Sequence, residues 1–100
     1  TCTAMLNPIE SYFRLITGTF TMTAKDRVIR GDASGGAFDL TLPPPTSVPL
    51  GWHADLRNMG AANNITLKPS GSETIDGAGT LTMTPGFITL VYTNGTNWYR

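Results

Sequence analysis

Apolar and polar residues alternate with a period of two through most of this chain, and the alternation restarts about every ten residues after a turn signal. In residues 17–23, Thr17, Thr19, Thr21 and Thr23 take one side while Phe20 and Met22 take the other, as a half-buried strand requires. The same rhythm returns in residues 26–30 with Val28 and Ile29, in 37–42 with Phe38, Leu40 and Leu42, and in 51–58 with Trp52, Ala54 and Leu56. It returns again in residues 64–68 with Ile65 and Leu67, and in 80–84 with Leu81 and Met83. Glycine-, asparagine- and proline-rich segments separate these runs, among them Gly35-Gly36, Pro43-Pro44-Pro45, Ser70-Gly71-Ser72 and Asp76-Gly77-Ala78-Gly79. Short strands without intervening helices predict an all-β chain, a small antiparallel β-sandwich or barrel-like fold.

The final stretch contains Asn94-Gly95, a pair suited to the positive φ angles of a type I′ turn, so residues 87–93 and 96–100 are predicted to pair as an antiparallel hairpin. A two-residue loop sets Thr93 opposite Thr96, Tyr92 opposite Asn97, Val91 opposite Trp98 and Leu90 opposite Tyr99. One face then carries Phe87, Val91 and Trp98, and the other carries Ile88, Leu90, Tyr92 and Tyr99. A lone sandwich needs only one of these faces dry. The second then lies under a neighbouring segment or under another copy of the chain, and another copy is the favoured expectation.

Ahead of the alternation, Asn7-Pro8-Ile9-Glu10 has the order of an N-cap, a first-position proline and a capping glutamate. Ile9, Tyr12, Phe13 and Ile16 then fall at the spacing of one helical face. A short helix and an arm pairing as a strand through residues 12–16 both fit. Residues 1–18 are therefore expected to form a docking arm or short helix, and residues 19–100 the sandwich module. The candidate interface comprises Ile9, Tyr12, Phe13 and Ile16 from the arm, with Ile88, Leu90, Tyr92, Trp98 and Tyr99 from the hairpin. The triple proline cannot donate to a strand ladder and is expected as an extended crossing from one sheet to the other.

Composition narrows the partners. One hundred residues make a single domain, 40% hydrophobic and only 14% charged, so much of the surface is neutral. Seven basic residues balance seven acidic ones, which leaves no field to draw in nucleic acid or an anionic membrane. No apolar run is long enough for a membrane-spanning helix, and no charged-then-apolar leader opens the sequence, an expectation against classical secretion. Cys2 is the lone cysteine, so neither an internal disulfide nor a cysteine metal site is expected. Threonine-rich strand faces, where a solvated sheet would carry more Lys and Glu, suit contact with another protein.

Other motifs have simpler structural explanations. Arg30-Gly31-Asp32 matches an adhesion tripeptide, yet a strand end followed by a self-bonded Asp turn accounts for it. Asn64-Ile65-Thr66 and Asn94-Gly95-Thr96 fit the glycosylation pattern without a leader to expose them to it. His53 shares a polar strand face with Asp55 and Arg57, opposite Trp52, Ala54 and Leu56. No strained nucleophile turn accompanies it, and Asp39, Asp55, Glu73 and Asp76 are scattered singly, so no catalytic residue, cofactor site or metal site is assigned.

The segments TMTAKDRVIRGDASGGAFDLTLPPPTSVPLG, NNITLKPSGSETIDGAGTLTM and ITLVYTNGTNWYR, in this order, resemble a recurring β-module of tailed-bacteriophage virion proteins over residues 19–100. The matching positions are Asp26, Val28 and Ile29, then Thr41, Leu42 and Pro43, then Thr74, Ile75, Asp76 and Gly77, and finally Asn97, Trp98 and Tyr99. The family's strand after the proline-rich turn is more basic than Trp52-His53-Ala54-Asp55-Leu56-Arg57, so no partner surface carries over there. The resemblance implies a virion-surface role in capsid decoration, head fibres or tail fibres, usually as a homotrimer, and brings no catalytic residues.

The expectation that follows is a non-enzymatic capsid decoration or head-fibre protein that contacts itself and the major capsid protein or another virion protein. A tail-fibre tip is the alternative, with Trp52 or Tyr92 stacking on a host-surface glycan. A polysaccharide-cleaving enzyme using Asp55 or Asp76 is the third.

Overall fold

The computed structural model describes residues 13–100, which form nine strands and a single 3-10 turn, Pro45–Ser47, with no α-helix. The strands are β1 (Phe13–Ile16), β2 (Phe20–Thr21), β3 (Val28–Gly31), β4 (Phe38–Thr41), β5 (His53–Asn58), β6 (Ile65–Lys68), β7 (Leu81–Met83), β8 (Ile88–Thr93) and β9 (Trp98–Tyr99). One sheet has the order β1-β3-β5-β8-β9 and the other β2-β4-β6-β7, and together they make a small β-sandwich rather than a closed barrel.

The expected antiparallel pairing holds for only part of it. β1, β3 and β5 run parallel, as do β2, β4 and β6. Antiparallel pairing begins where β8 joins β5, β7 joins β6 and β9 joins β8. A parallel pair cannot be closed by a tight turn and needs a crossover. Here each crossover is a strand of the opposite sheet, so the chain winds three times between the sheets before it reverses. Val28 pairs with Asp55 and Phe38 with Ile65, both 27 positions apart, so the third winding stacks on the second at the same offset in both sheets.

Alternation decides which side chains turn inward. Phe38, Leu40, Leu42, Trp52, Ala54, Leu56, Ile65, Leu67 and Met83 are all buried, as their strand patterns predict. The triple proline does cross between sheets, linking β4 to β5 through the 3-10 turn. Gly60 fits tightly in the connection after β5, because a Cβ there would lie 2.6 Å from Asp32 Oδ1 and 3.0 Å from the Ala33 nitrogen. That contact stacks the β5–β6 loop on the β3–β4 loop, and Asn63 Nδ2 adds a bond to the Ala33 carbonyl at 2.9 Å.

Buried polar groups tie the windings together. Asp26 is buried and accepts from Arg14 Nε at 2.9 Å and from the Thr23 amide at 2.8 Å, which fixes β1 to the turn before β3. Asn58, fully buried at the end of β5, donates through Nδ2 to the Met83 carbonyl at 2.9 Å and the Asn63 carbonyl at 3.2 Å. Its Oδ1 accepts from the Gly60 amide at 3.1 Å.

Three expectations are corrected. Phe13–Ile16 is a strand of the five-stranded sheet, so the helical alternative fails there and these four residues, expected in the arm, pair with β3. Ile16 is buried in the core, since its place on β1 beside Gly31 faces the other sheet, and it is no docking residue. Ile9 and Tyr12 lie outside the described residues.

The closing hairpin also differs from its expected form. Tyr92 pairs with Tyr99 and Thr93 with Trp98, so the loop has four residues and the register moves by two, which preserves the faces. Only Gly95 of the Asn94-Gly95 pair has a positive φ. Asn94 instead spends its side chain on the loop, its Oδ1 accepting from the Thr96 and Asn97 amides at 3.0 Å each. The two-residue turn with both central φ angles positive sits at Asp76-Gly77, at 51° and 81°, bracketed by paired bonds between Ile75 and Ala78.

A candidate interaction surface

Strand alternation places every second residue of the five-stranded sheet on its outer face, and register aligns these residues in rows. One row runs Phe13, Val28, Asp55, Leu90 and the next Leu15, Arg30, Arg57, Ile88. A third holds His53, Tyr92 and Tyr99. Phe13, Leu15, Ile88, Leu90 and Tyr92 are each 48–65% exposed. The face therefore has two apolar flanks, on β1 and on β8, around a polar centre. At roughly 150–200 Å² per large side chain, the five leave on the order of 400–500 Å² of surface open. That matches the largest patches found on monomeric proteins, which are often functional, and about half of one side of a standard interface.

Ile88, Leu90 and Tyr92 thus stand on the face where the alternation puts them. Trp98, also named as an interface residue, is fully buried instead, because its register partner Thr93 points into the sandwich. Its ring meets Trp52 edge-on with centroids 5.7 Å apart. Its Nε1 has no acceptor among the described residues. Trp52 is buried too, donating through Nε1 to the Ala24 carbonyl at 2.9 Å, so it offers no platform to a sugar. Tyr99 is half-buried against Tyr92 on the outer face, with centroids 5.7 Å apart and planes tilted by 31°.

The centre of the face carries the charges. Arg30 Nη1 lies 3.4 Å from Asp55 Oδ1, and Arg57 is exposed beside them. The polar face expected for His53, Asp55 and Arg57 is therefore present, but flanking strands convert it into a stripe between apolar borders. Placing those flanks from sequence requires knowing that β1 and β8 belong to the same sheet.

The outer face of the four-stranded sheet is different. Thr21, Thr41, Thr66 and Thr82 point outward there beside an ion pair from Lys68 Nζ to Asp39 Oδ2 at 3.2 Å. No large apolar side chain is exposed on its described strands. The threonine-rich face and the apolar face are thus on opposite sides of the sandwich.

Other candidate chemistry is absorbed by local structure. Arg30-Gly31-Asp32 does not protrude: Arg30 lies on the sheet face, Gly31 is buried, and Asp32 Oδ1 caps the Ser34 amide at 2.9 Å. The Ser34 side chain, and then its amide, hold the Asp32 carboxyl below its ordinary pKa. The Ser70 hydroxyl does the same for Glu73, whose Oε1 gathers the Ser70 and Gly71 amides. Asp76 faces Arg100 at 3.2 Å, as Asp55 faces Arg30, so each of these two carboxylates has an arginine partner rather than an acid–base partner. Among the described residues there is no cavity and no cluster of three metal-ligating side chains. Compared with known proteins, the chain matches no family model, no curated protein and no solved structure.

Proposed function

We propose that this chain is a non-enzymatic assembly domain of a tailed-phage particle, a capsid decoration or head-fibre component at the virion surface. It associates with itself, as a homotrimer on the family pattern, and docks on the major capsid protein or another virion protein. The observation that carries the assembly part is the outer face of the five-stranded sheet, with Phe13, Leu15, Ile88, Leu90 and Tyr92 exposed together. At about 25 cal/mol per Å², covering such a face contributes on the order of 10 kcal/mol per copy before association costs of similar size. The phage assignment rests on the ordered motifs from Asp26 to Tyr99.

Leu90→Asp places a charge at the centre of the apolar flank. The purified variant is expected to run as a monomer where the unaltered chain runs as an oligomer, and, because Leu90 is exposed, to melt where the unaltered chain melts once diluted to monomer. Native mass spectrometry with a thermal melt checks both. Labelled protein located on the head of intact particles supports decoration, and location on the tail supports the second reading. That reading, a glycan-binding fibre tip, draws on the exposed Tyr92 and its stacked neighbour Tyr99, beside His53. Glycan arrays with Tyr92→Ala as the control test it.

A further inference from the structure

A like-charged pair sits at the centre of the exposed face. Arg30 and Arg57 are register partners on adjacent parallel strands. Their backbones are therefore about 4.8 Å apart, and like charges so placed repel. Asp55 is the one carboxylate on this face among the described residues. It reaches Arg30 through Oδ1 alone at 3.4 Å, long for a charge-assisted bond, and 42% of its side chain stays exposed. Arg57 has no ion-pair partner among the described residues. Because apolar side chains border this stripe on both sides, anything that covers them also removes these charges from water. A guanidinium left there without a carboxylate to accept its hydrogen bonds is costly.

We infer that the occupant of this face is a second copy of the chain, and that Arg57 of each copy pairs with Asp55 of its neighbour. Each Asp55 then bridges its own Arg30 and the neighbour's Arg57. The face is suited to its own likeness, since every copy presents one unpaired cation and one under-used carboxylate. Each copy gives one pair and receives one, so the contacts close around a ring of either two or three. The inference rests on the self-association proposed above and adds the polar register that orients it.

Sedimentation equilibrium on the full chain tests it through charge reversal. Arg57→Asp and Asp55→Arg, each alone, are expected to raise the dissociation constant roughly tenfold or more, the effect of a close charge pair across an interface. The double variant Arg57→Asp/Asp55→Arg restores the pair in reverse and is expected within about threefold of the unaltered protein, the residue of imperfect additivity. Cooperative thermal melts that match at a dilution where every form is monomeric establish that all three variants fold. If Leu90→Asp dissociates the oligomer while the single reversals do nothing, or the double variant fails to recover, the Arg57–Asp55 pairing is wrong and the proposed assembly stands. If the unaltered chain remains monomeric at high concentration, both fall, and the cover is residues 1–12 or a different protein.

Discussion

Asn58→Asp is expected to cost about 3–5 kcal/mol of folding stability at neutral pH, although the two side chains have nearly the same shape. Asn58 is fully buried, and its Nδ2 supplies the Met83 and Asn63 carbonyls, 2.9 and 3.2 Å away, at the end of β7 and just before β6. A carboxylate oxygen there faces two acceptors with no proton to give. It also carries a charge into a site without a cation. Burial and the two facing carbonyls push the new carboxyl's folded pKa above its unfolded value of about 3.9. The sign follows: the variant's deficit is smallest below the unfolded pKa, where both states are protonated, and grows as pH rises through the elevated folded pKa. Urea midpoints measured against the unaltered protein at acidic and neutral pH check this. Equal midpoints at neutral pH would remove Asn58 as the polar tie of the fold.

Trp98→Ala has a comparable expected cost, about 3–5 kcal/mol, enough to leave a domain of ordinary stability close to unfolding. Trp98 is fully buried and contacts Trp52, while its backbone amide and carbonyl bond Thr74 and Asp76 at 2.8 and 2.9 Å. The side chain therefore anchors β9 and the Asp76-Gly77 turn in one place. A sharper comparison uses phenylalanine. Trp52→Phe removes a made bond to the Ala24 carbonyl, whereas Trp98→Phe removes a donor that has no acceptor among the described residues. Trp98→Phe is expected to be the milder by roughly 1 kcal/mol or more. Denaturant midpoints of the two variants give the ordering, and the reverse order would mean that Trp98 Nε1 has a partner in solution.

Much of the inward set was legible in the residue order. Leu40, Leu56, Leu67, Met83 and Val91 are buried because the period of two fixes side without reference to partners. The same logic put Ile88, Leu90 and Tyr92 outward. It failed at Ile16, where a run also compatible with a helix concealed the strand period. Turn chemistry was legible in kind but not in place. Asn94-Gly95 and Asp76-Gly77 both suit a type I′ turn, and the side-chain bonds of Asn94 to Thr96 and Asn97 chose the longer loop for the first.

The sequence also carries a faint internal repeat. Ile29 and Leu56, Arg30 and Arg57, Phe38 and Ile65, and Leu40 and Leu67 are similar or identical pairs at the common offset of 27, and each is a register pair in the sheets. Aligning the chain with itself would have suggested stacked windings, and with them the adjacency of the two arginines. Direction of pairing, in contrast, leaves no mark on alternation, since a strand reads the same whether its neighbour runs parallel or antiparallel.

The residue order was sufficient for an all-β chain, for the side each strand residue takes and for an apolar hairpin face in excess of one core, because these depend on local geometry and burial alone. The fold was needed to bring β1 beside β3, to sink Trp98 and to join two distant apolar flanks into one surface. Such adjacencies arise from contacts among residues far apart in the chain, where the energy of the whole packing rather than any local preference selects the neighbour.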